Sequence, residues 1–233
     1  NTNDPQHETF VIYIKGDVIK RPPSKVDNYP TKLGNLRLTT NHYAFNEIKN
    51  TQKRTDTLRI FNETTQTILL NGTSEVPSFL KVEIPVKDLN PDDEGFIIIT
   101  YDATKRDDFG FLFDKFNLLT NDNIMPEKLI YVSANVTADF SHLSEKQLAR
   151  APKIKVENEV VQFGEVKPGQ NIEIKYVVKN EGRDPLQILK IKPSCGCTVA
   201  QSSKNSLKKD ESTEIKFNFN TTGRNGVQHH NIV

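Results

Sequence analysis

The sequence predicts an all-β fold of tandem β-sandwiches, and three observations carry that prediction. Apolar and polar residues alternate with period two in many short runs. Clusters rich in Asn, Asp, Gly and Pro separate those runs. The apolar content leans to Val, Ile, Phe and Tyr, with one Met and no Trp, which suits a pleated, half-buried surface.

Taken in order, the strands are FVIYIKGDV (10–18), LRLTTNHYAF (36–45), DTLRIFNET (56–64), FIIITYDAT (96–104), NIEIKYVVKN (171–180) and TEIKFNFNTT (213–222). KNTQK, NPDDEG, KPGQN, NEGRDP and TTGRNG are the turns, where short polar side chains bond to their own backbone. The acidic turns lack the oxygen-ligand spacing of a calcium loop. SHLSEKQLAR (141–150) is the one helical candidate, capped by Ser144 and ended by Pro152.

Internal likeness sets the organisation. TNDPQHETFVIYIKGDV (2–18) resembles TNDNIMPEKLIYVSANV (120–136), and TLRIFNETTQTILL (57–70) resembles EIKYVVKNEGRDPLQILKI (173–191). EGFIIITYDATKRDDFG (94–110) resembles STEIKFNFNTTGRNG (212–226). HHNIV (229–233) is set against KFNLL (115–119). The expected plan is a closing strand of a preceding, truncated repeat at 1–18, a linker at 19–34, and a sandwich at 35–140. A connector at 141–152 and a second sandwich at 153–233, without its closing strand, complete it. The chain is expected to be cut from a longer array or to have disordered termini, and 9–18 either to pair on some sheet edge or to fray as a lone strand.

With Lys plus Arg at 31 and Asp plus Glu at 30, the net charge is +1, which gives no reason to expect nucleic acid or an anionic membrane as partner. No apolar run has the length of a membrane-spanning helix. Dinucleotide, P-loop, zinc-protease and nucleophile-elbow patterns are absent, and five His support no Ser-His-Asp set, so no enzyme and no cofactor is expected. FGFLFDKF (109–116) places Phe109, Phe111 and Phe113 on one face, read as core, with Leu112 on the other. A carbohydrate-binding role would need a solvent-facing aromatic platform, and there is no Trp to make one.

FGEVKPGQNIEIKYVVKNEGRDPLQILKIKPSCGCTVA followed by LKKDESTEIKFNFNTTGRNG resembles a bacterial family of unknown function with a Cys-Gly-Cys-Thr loop. That family is similar to the Ash-type (ASPM and Hydin) immunoglobulin-like modules. The elements that match are Phe163-Gly164, Asn180-Glu181-Gly182 before Pro185-Leu186, the Cys195 to Thr198 loop, and Thr222-Gly223 with Gly226. The resemblance covers residues 153–233. It implies tandem immunoglobulin-like sandwiches in an exported bacterial protein, periplasmic or associated with the outer membrane. It implies protein partners, in an envelope or outer-membrane complex, and no established enzyme activity.

Both cysteines lie in KPSCGCTV (192–199), and four readings stand. The first is a structural turn with small, soft, buried side chains. The second is a disulfide between Cys195 and Cys197, whose Cα atoms can come within bridging distance across Gly196. The third is a metal or redox site in which Cys195 and Cys197 bind a soft ion with His229 or His230; alternation points one of the two His to the Cys face. The fourth is thiol catalysis, which needs a group that lowers the thiol pKa. The corresponding stretch of the first sandwich, NGTSEVPSFL (71–80), has no cysteine, so the fold does not require the pair.

Overall fold

The computed structural model of the 233-residue chain describes residues 11–19, 21–22, 24–193 and 198–230, with the backbone alone at 198–201. Its strands in chain order are β1 (Thr31–Leu33), β2 (Leu36–Leu38), β3 (His42–Lys49), β4 (Lys53–Asn62), β5 (Ile68–Ser74), β6 (Leu80–Glu83), β7 (Asp88–Leu89) and β8 (Glu94–Asp102). They continue with β9 (Gly110–Thr120), β10 (Glu127–Thr137), β11 (Ile154–Val156) and β12 (Asn171–Asn180). The last are β13 (Leu186–Gln187), β14 (Thr198–Ser202), β15 (Ser206–Leu207) and β16 (Ser212–Asn220). The single α-helix among the described residues, α1, is one turn at Glu145–Leu148.

The fold is all-β. One five-stranded sheet runs β1-β2-β4-β8-β6 and faces a second that runs β3-β10-β9-β5-β7. Alternation along each strand turns one row inward. Leu58 and Ile60 on β4, Ile97, Ile99 and Tyr101 on β8, and Ile130 and Val132 on β10 are fully buried. Burying each such side chain is worth about 1.5–3 kcal/mol, so these rows dominate the stability of the first sandwich. Beyond α1 lie the sheet β11-β12-β16-β14 and the ribbon β13-β15. Their core is smaller, built on Val178, Leu207, Ile215 and Phe217.

Each sandwich has a buried corner of the same design. Asn62 is fully buried, and its Nδ2 donates to Gln66 O and Leu89 O, both at 2.8 Å. Its Oδ1 accepts from Thr64 N at 2.9 Å. Asn180, also fully buried, donates to Asp184 O at 2.9 Å and Leu207 O at 3.0 Å, and accepts from Gly182 N at 2.9 Å. Asp92 N bonds to Asn62 O, and Asp210 N bonds to Asn180 O. Asp92 and Asp210 both sit in the left-handed region, at φ 64° and 62°. Each pair of positions, 62 and 180, 89 and 207, 92 and 210, is 118 residues apart. The same offset relates the starts of β2 and β11, 36 and 154, and of β4 and β12, 53 and 171.

A buried ion pair fastens the loop between β9 and β10. Lys128 Nζ lies 2.7 Å from Asp122 Oδ2 with both side chains excluded from solvent, and donates to Met125 O at 2.6 Å. Asp122 also accepts from Asn35 N at 2.6 Å, Asn35 Nδ2 at 3.0 Å and Ile124 N at 2.9 Å. Asn35 belongs to the β1–β2 turn, so the pair ties the two sheets together. Gly34 makes this approach possible: it holds φ +59°, and a Cβ there would collide with the Asp122 carboxylate. Burial alone would raise the pKa of Asp122, but the Asn35 and Ile124 N–H groups and the Lys128 ammonium outweigh it and lower it to about 2.

Several expectations are corrected. Residues 11–18, within the expected first strand, carry no ladder and are exposed, because a strand needs a partner and none among the described residues lies beside them. The expected linker 19–34 contains a 3-10 turn at Lys25–Asn28 and the edge strand β1. The run 36–45 divides into β2 and β3, in different sheets, where Thr40 Oγ1 accepts from His42 N. Helix α1 is shorter than 141–150, although Ser144 caps it by accepting from Gln147 N. Leu112 is buried, whereas Phe111 and Phe113 are exposed, the reverse of the expected faces.

Two predictions follow from these buried polar groups. Asp122 has a lower pKa folded than its ordinary 3.8, so its contribution of about 2 kcal/mol is in full force above pH 4 and is lost as pH falls from about 4 to about 2. Lys128→Met, which leaves the carboxylate buried and unpaired, costs the first sandwich about 3–5 kcal/mol and shrinks that acid step, read by urea unfolding at several pH values. Asn62→Ala and Asn180→Ala each cost about 2–4 kcal/mol by stranding buried backbone groups. Segment-resolved hydrogen exchange assigns the loss to the first sandwich in one case and the second in the other.

Candidate functional site: the outer aromatic face and the seam

Buried Leu112, Phe116 and Leu118 decide which way β9 faces, and an acid lies in the same inward row. Leu112, Asp114, Phe116, Leu118 and Thr120 form that row, with Leu112, Phe116 and Leu118 buried. Asp114 Oδ1 meets Arg106 Nη2 at 3.2 Å, and the Arg106 guanidinium lies 4.3 Å from the centre of the Phe79 ring. Burial pushes the pKa of Asp114 up, against the pull of Arg106. Burial likewise lifts the Tyr101 hydroxyl in the same cluster to about 12.

The opposite row faces solvent. Phe111 is 51% exposed and Phe113 is 53% exposed. Phe113 stands against Tyr131 of β10 at 5.2 Å between ring centres and against His42 of β3 at 5.1 Å. Strand register brings these rings together. Ser133 pairs with Phe113 on one side of β10, and Tyr131 pairs with His42 on the other. His42 Nε2 lies 2.8 Å from Ser133 Oγ, which is itself buried under the rings. The result is a continuous aromatic face across β3, β10 and β9.

This face borders the seam with the second sandwich. Lys190 pairs with Asp108. Lys192 Nζ donates to Phe111 O at 2.6 Å and lies 5.4 Å from the centre of the Phe111 ring. Burial would raise the pKa of Asp108, but the Lys190 ammonium and the Phe109 N–H hold it below the ordinary carboxylate range. In the first sandwich the positions 118 residues before these lysines are Gly72 and Ser74. The cations therefore belong to one side of the seam.

The cysteines Cys195 and Cys197 lie outside the described residues, so the structural, disulfide, metal and catalytic readings of that loop stand as expectations. His229 and His230 are both exposed, and 227–230 form no ladder beside β13. His230 packs on Phe219 at 5.0 Å, with its Nε2 3.4 Å from Arg224 Nη1. Among the described residues no three His, Cys, Asp or Glu side chains gather as a metal site. The 118-residue offset sets HHNIV opposite Phe111–Lys115, four residues from the expected match with KFNLL.

Sequence reasoning missed the two asparagine corners and the aromatic face. Asn62 and Asn180 were visible as shared letters in the aligned runs, but a lone Asn before a turn reads as surface. Asp114, between two apolar inward neighbours, was the signal that Phe111 and Phe113 pointed outward, while Phe109, before the strand, packs on the core as expected.

Residues 154–233 match a sequence family described as protein of unknown function, DUF1573. No curated protein matches the chain in sequence. A crystal structure of a protein of unknown function from Porphyromonas gingivalis W83 is similar over 80% of this chain and 84% of that one, at 13% identity and a TM-score of 0.58. The YadV chaperone aligns over 85% of this chain and 90% of its own at 12% identity, with a TM-score of 0.35. An ASH/PapD-like domain of human CEP192 aligns over 56% of this chain and 99% of its own at 10% identity, with a TM-score of 0.34. The last two are too distant to carry an argument. The similarity to the Porphyromonas gingivalis protein shows the fold alone, an all-β sandwich architecture, and the family match is confined to residues 154–233.

Proposed function

We propose that the chain is a non-catalytic scaffold of tandem immunoglobulin-like sandwiches in an exported, envelope-associated bacterial assembly. It holds a protein partner on the outer aromatic face. The observation that supports this reading is the row of exposed Phe111, Phe113 and His42 and half-buried Tyr131 on one sheet face. Aromatic side chains supply large, rigid contact area, and a clustered exposed patch marks interaction surfaces. Lys190 and Lys192 at its border add charge that sets orientation more than affinity. The exported, envelope setting is taken from what the resemblance of residues 153–233 to the Cys-Gly-Cys-Thr-loop family implies.

The test is capture of envelope proteins on the immobilised chain, quantified by mass spectrometry. Phe111→Ser with Phe113→Ser is expected to lower the captured partner at least tenfold, the loss of two anchoring aromatics. Thermal stability should stay within about 0.5 kcal/mol of the parent, because both side chains are on the surface. Cys195→Ser with Cys197→Ser should leave capture unchanged. Capture that survives the Phe pair and disappears with the Cys pair would transfer the function to the thiol loop.

A further inference from the structure

The outer edge of β6 carries a pattern that complements itself. Strand β6 ends the sheet β1-β2-β4-β8-β6 and, among the described residues, pairs with β8 alone. Asp102 N donates to Phe79 O at 2.8 Å, so the backbone groups of Phe79, Lys81 and Glu83 are the ones that face β8. Those of Leu80, Val82 and Ile84 point to the open side. Leu80 N is taken up by Pro77 O at 2.9 Å, which leaves Val82 and Ile84 as the donors there. Pro85 stands at a position facing β8, so its missing N–H costs the open side nothing.

The side chains of β6 divide between the two faces of the sheet. Val82 and Ile84 turn inward and are half-buried against the first core. They stand at the mouth of a gap of about 440 Å³ between β5 and β6, which Leu69, Leu70 and Gly72 also line. Lys81 and Glu83 turn outward, with side chains 68% and 48% exposed, and meet each other at 2.9 Å along the strand.

A short edge that carries charges is a common guard against stray strand pairing. This guard admits its own copy. In an antiparallel pair centred on Val82, Val82 faces Val82 of the second copy, and Lys81 falls opposite Glu83 in both directions. Val82 then exchanges both of its open backbone bonds with its counterpart, and Ile84 N reaches Leu80 O of the second copy. Pairs centred on Leu80 or Ile84 use the same backbone groups but leave both charges without an opposite. Pairs centred on Lys81 or Glu83 set like charges together and turn the wrong backbone groups outward. One two-fold register satisfies both demands.

We infer that β6 pairs with β6 of a second copy about a two-fold axis through Val82, joining the two five-stranded sheets into one. The contact is isologous, so it closes at two chains. Paired residues share a face of a sheet, so the β3-β10-β9-β5-β7 sheets of both copies lie on the same side of the joined one. On the function proposed above, the dimer presents two aromatic faces to one side, and a partner with two matching sites gains avidity.

Sedimentation equilibrium of the chain of residues 1–233, with amide hydrogen exchange on β6, tests this. Four residues make a small interface, so the parent should pass from one chain to two between about 1 μM and about 1 mM and grow no further. Over that range Val82 N–H should gain about tenfold protection or more, while Lys81 N–H, already in the β8 ladder, should change little. Lys81→Glu alone and Glu83→Lys alone each oppose like charges and should raise the dissociation constant about tenfold or more. The two together restore opposite charges and should dimerise like the parent. An equimolar mixture of the two single variants should form a mixed dimer, which keeps the test open if the double variant fails to fold. Phe111→Ser with Phe113→Ser should leave the dimer intact, so this result and the capture result fail separately. A parent that stays single-chain throughout, or single variants that dimerise like the parent, would overturn the inference. So would a mixture that forms no mixed dimer, or a Val82 N–H already protected in the dilute single chain, whose edge the same chain then covers.

Discussion

One buried carboxamide fixes each sandwich. Asn62 bonds to the turn that begins β5, to the end of β7 and to its own turn, while its backbone pairs with the segment that begins β8. Strand β4 can end there and hand the chain to the opposite sheet because every polar group freed at the corner has a partner. Asn180 repeats the arrangement with different neighbours, Gly182 in place of Thr64 and Lys153 N as an added donor. The corner persists while the side chains around it change, so it behaves as the frame on which surface variation is built. The Asp122–Lys128 pair is local by comparison and locks one loop of the first sandwich to the β1–β2 turn.

Much of the fold was legible in the sequence because period-two alternation is a direct image of a pleated sheet with one buried face. NIEIKYVVKN is β12 residue for residue. Alternation says less about where a strand leaves one sheet for the other. LRLTTNHYAF reads as continuous, yet β2 and β3 lie in opposite sheets, and the Thr39–Asn41 break is visible only once both layers exist. Face assignment failed at β9 for a related reason. Three phenylalanines outvoted one aspartate in a short window, but Asp114 belongs to the longer inward row and finds Arg106 there. The aromatic face could therefore have been read from the full eleven-residue strand, and not from its first four.

The pairing of residues across space was not legible. Nothing in KIKPS announces that Lys190 and Lys192 reach Asp108 and Phe111, some eighty residues earlier in the chain. Among the described residues the lysines hold the seam by one ion pair, one amine-to-carbonyl bond and the ammonium over the Phe111 ring, at a partly exposed site, contacts that are individually weak and whose ionic part weakens further with salt. A rigid sandwich beside a lightly held neighbour is a usual arrangement within a chain, and it leaves the relative orientation responsive to whatever binds nearby.

The direction in which the chain threads the first sandwich gives it a mechanical character. The chain enters at the Asn62 end in one sheet and leaves from β10 in the other sheet at the opposite end. Tension applied through the two ends therefore runs along the strands. Ladder bonds lie across that line, and those of β10 to β3 and to β9 are loaded together and not one after another. A sheet pulled this way yields by sliding whole strands, which demands many bonds at once, whereas a sheet pulled sideways unzips. Tension along the long axis of this sandwich is thus met by many ladder bonds at once.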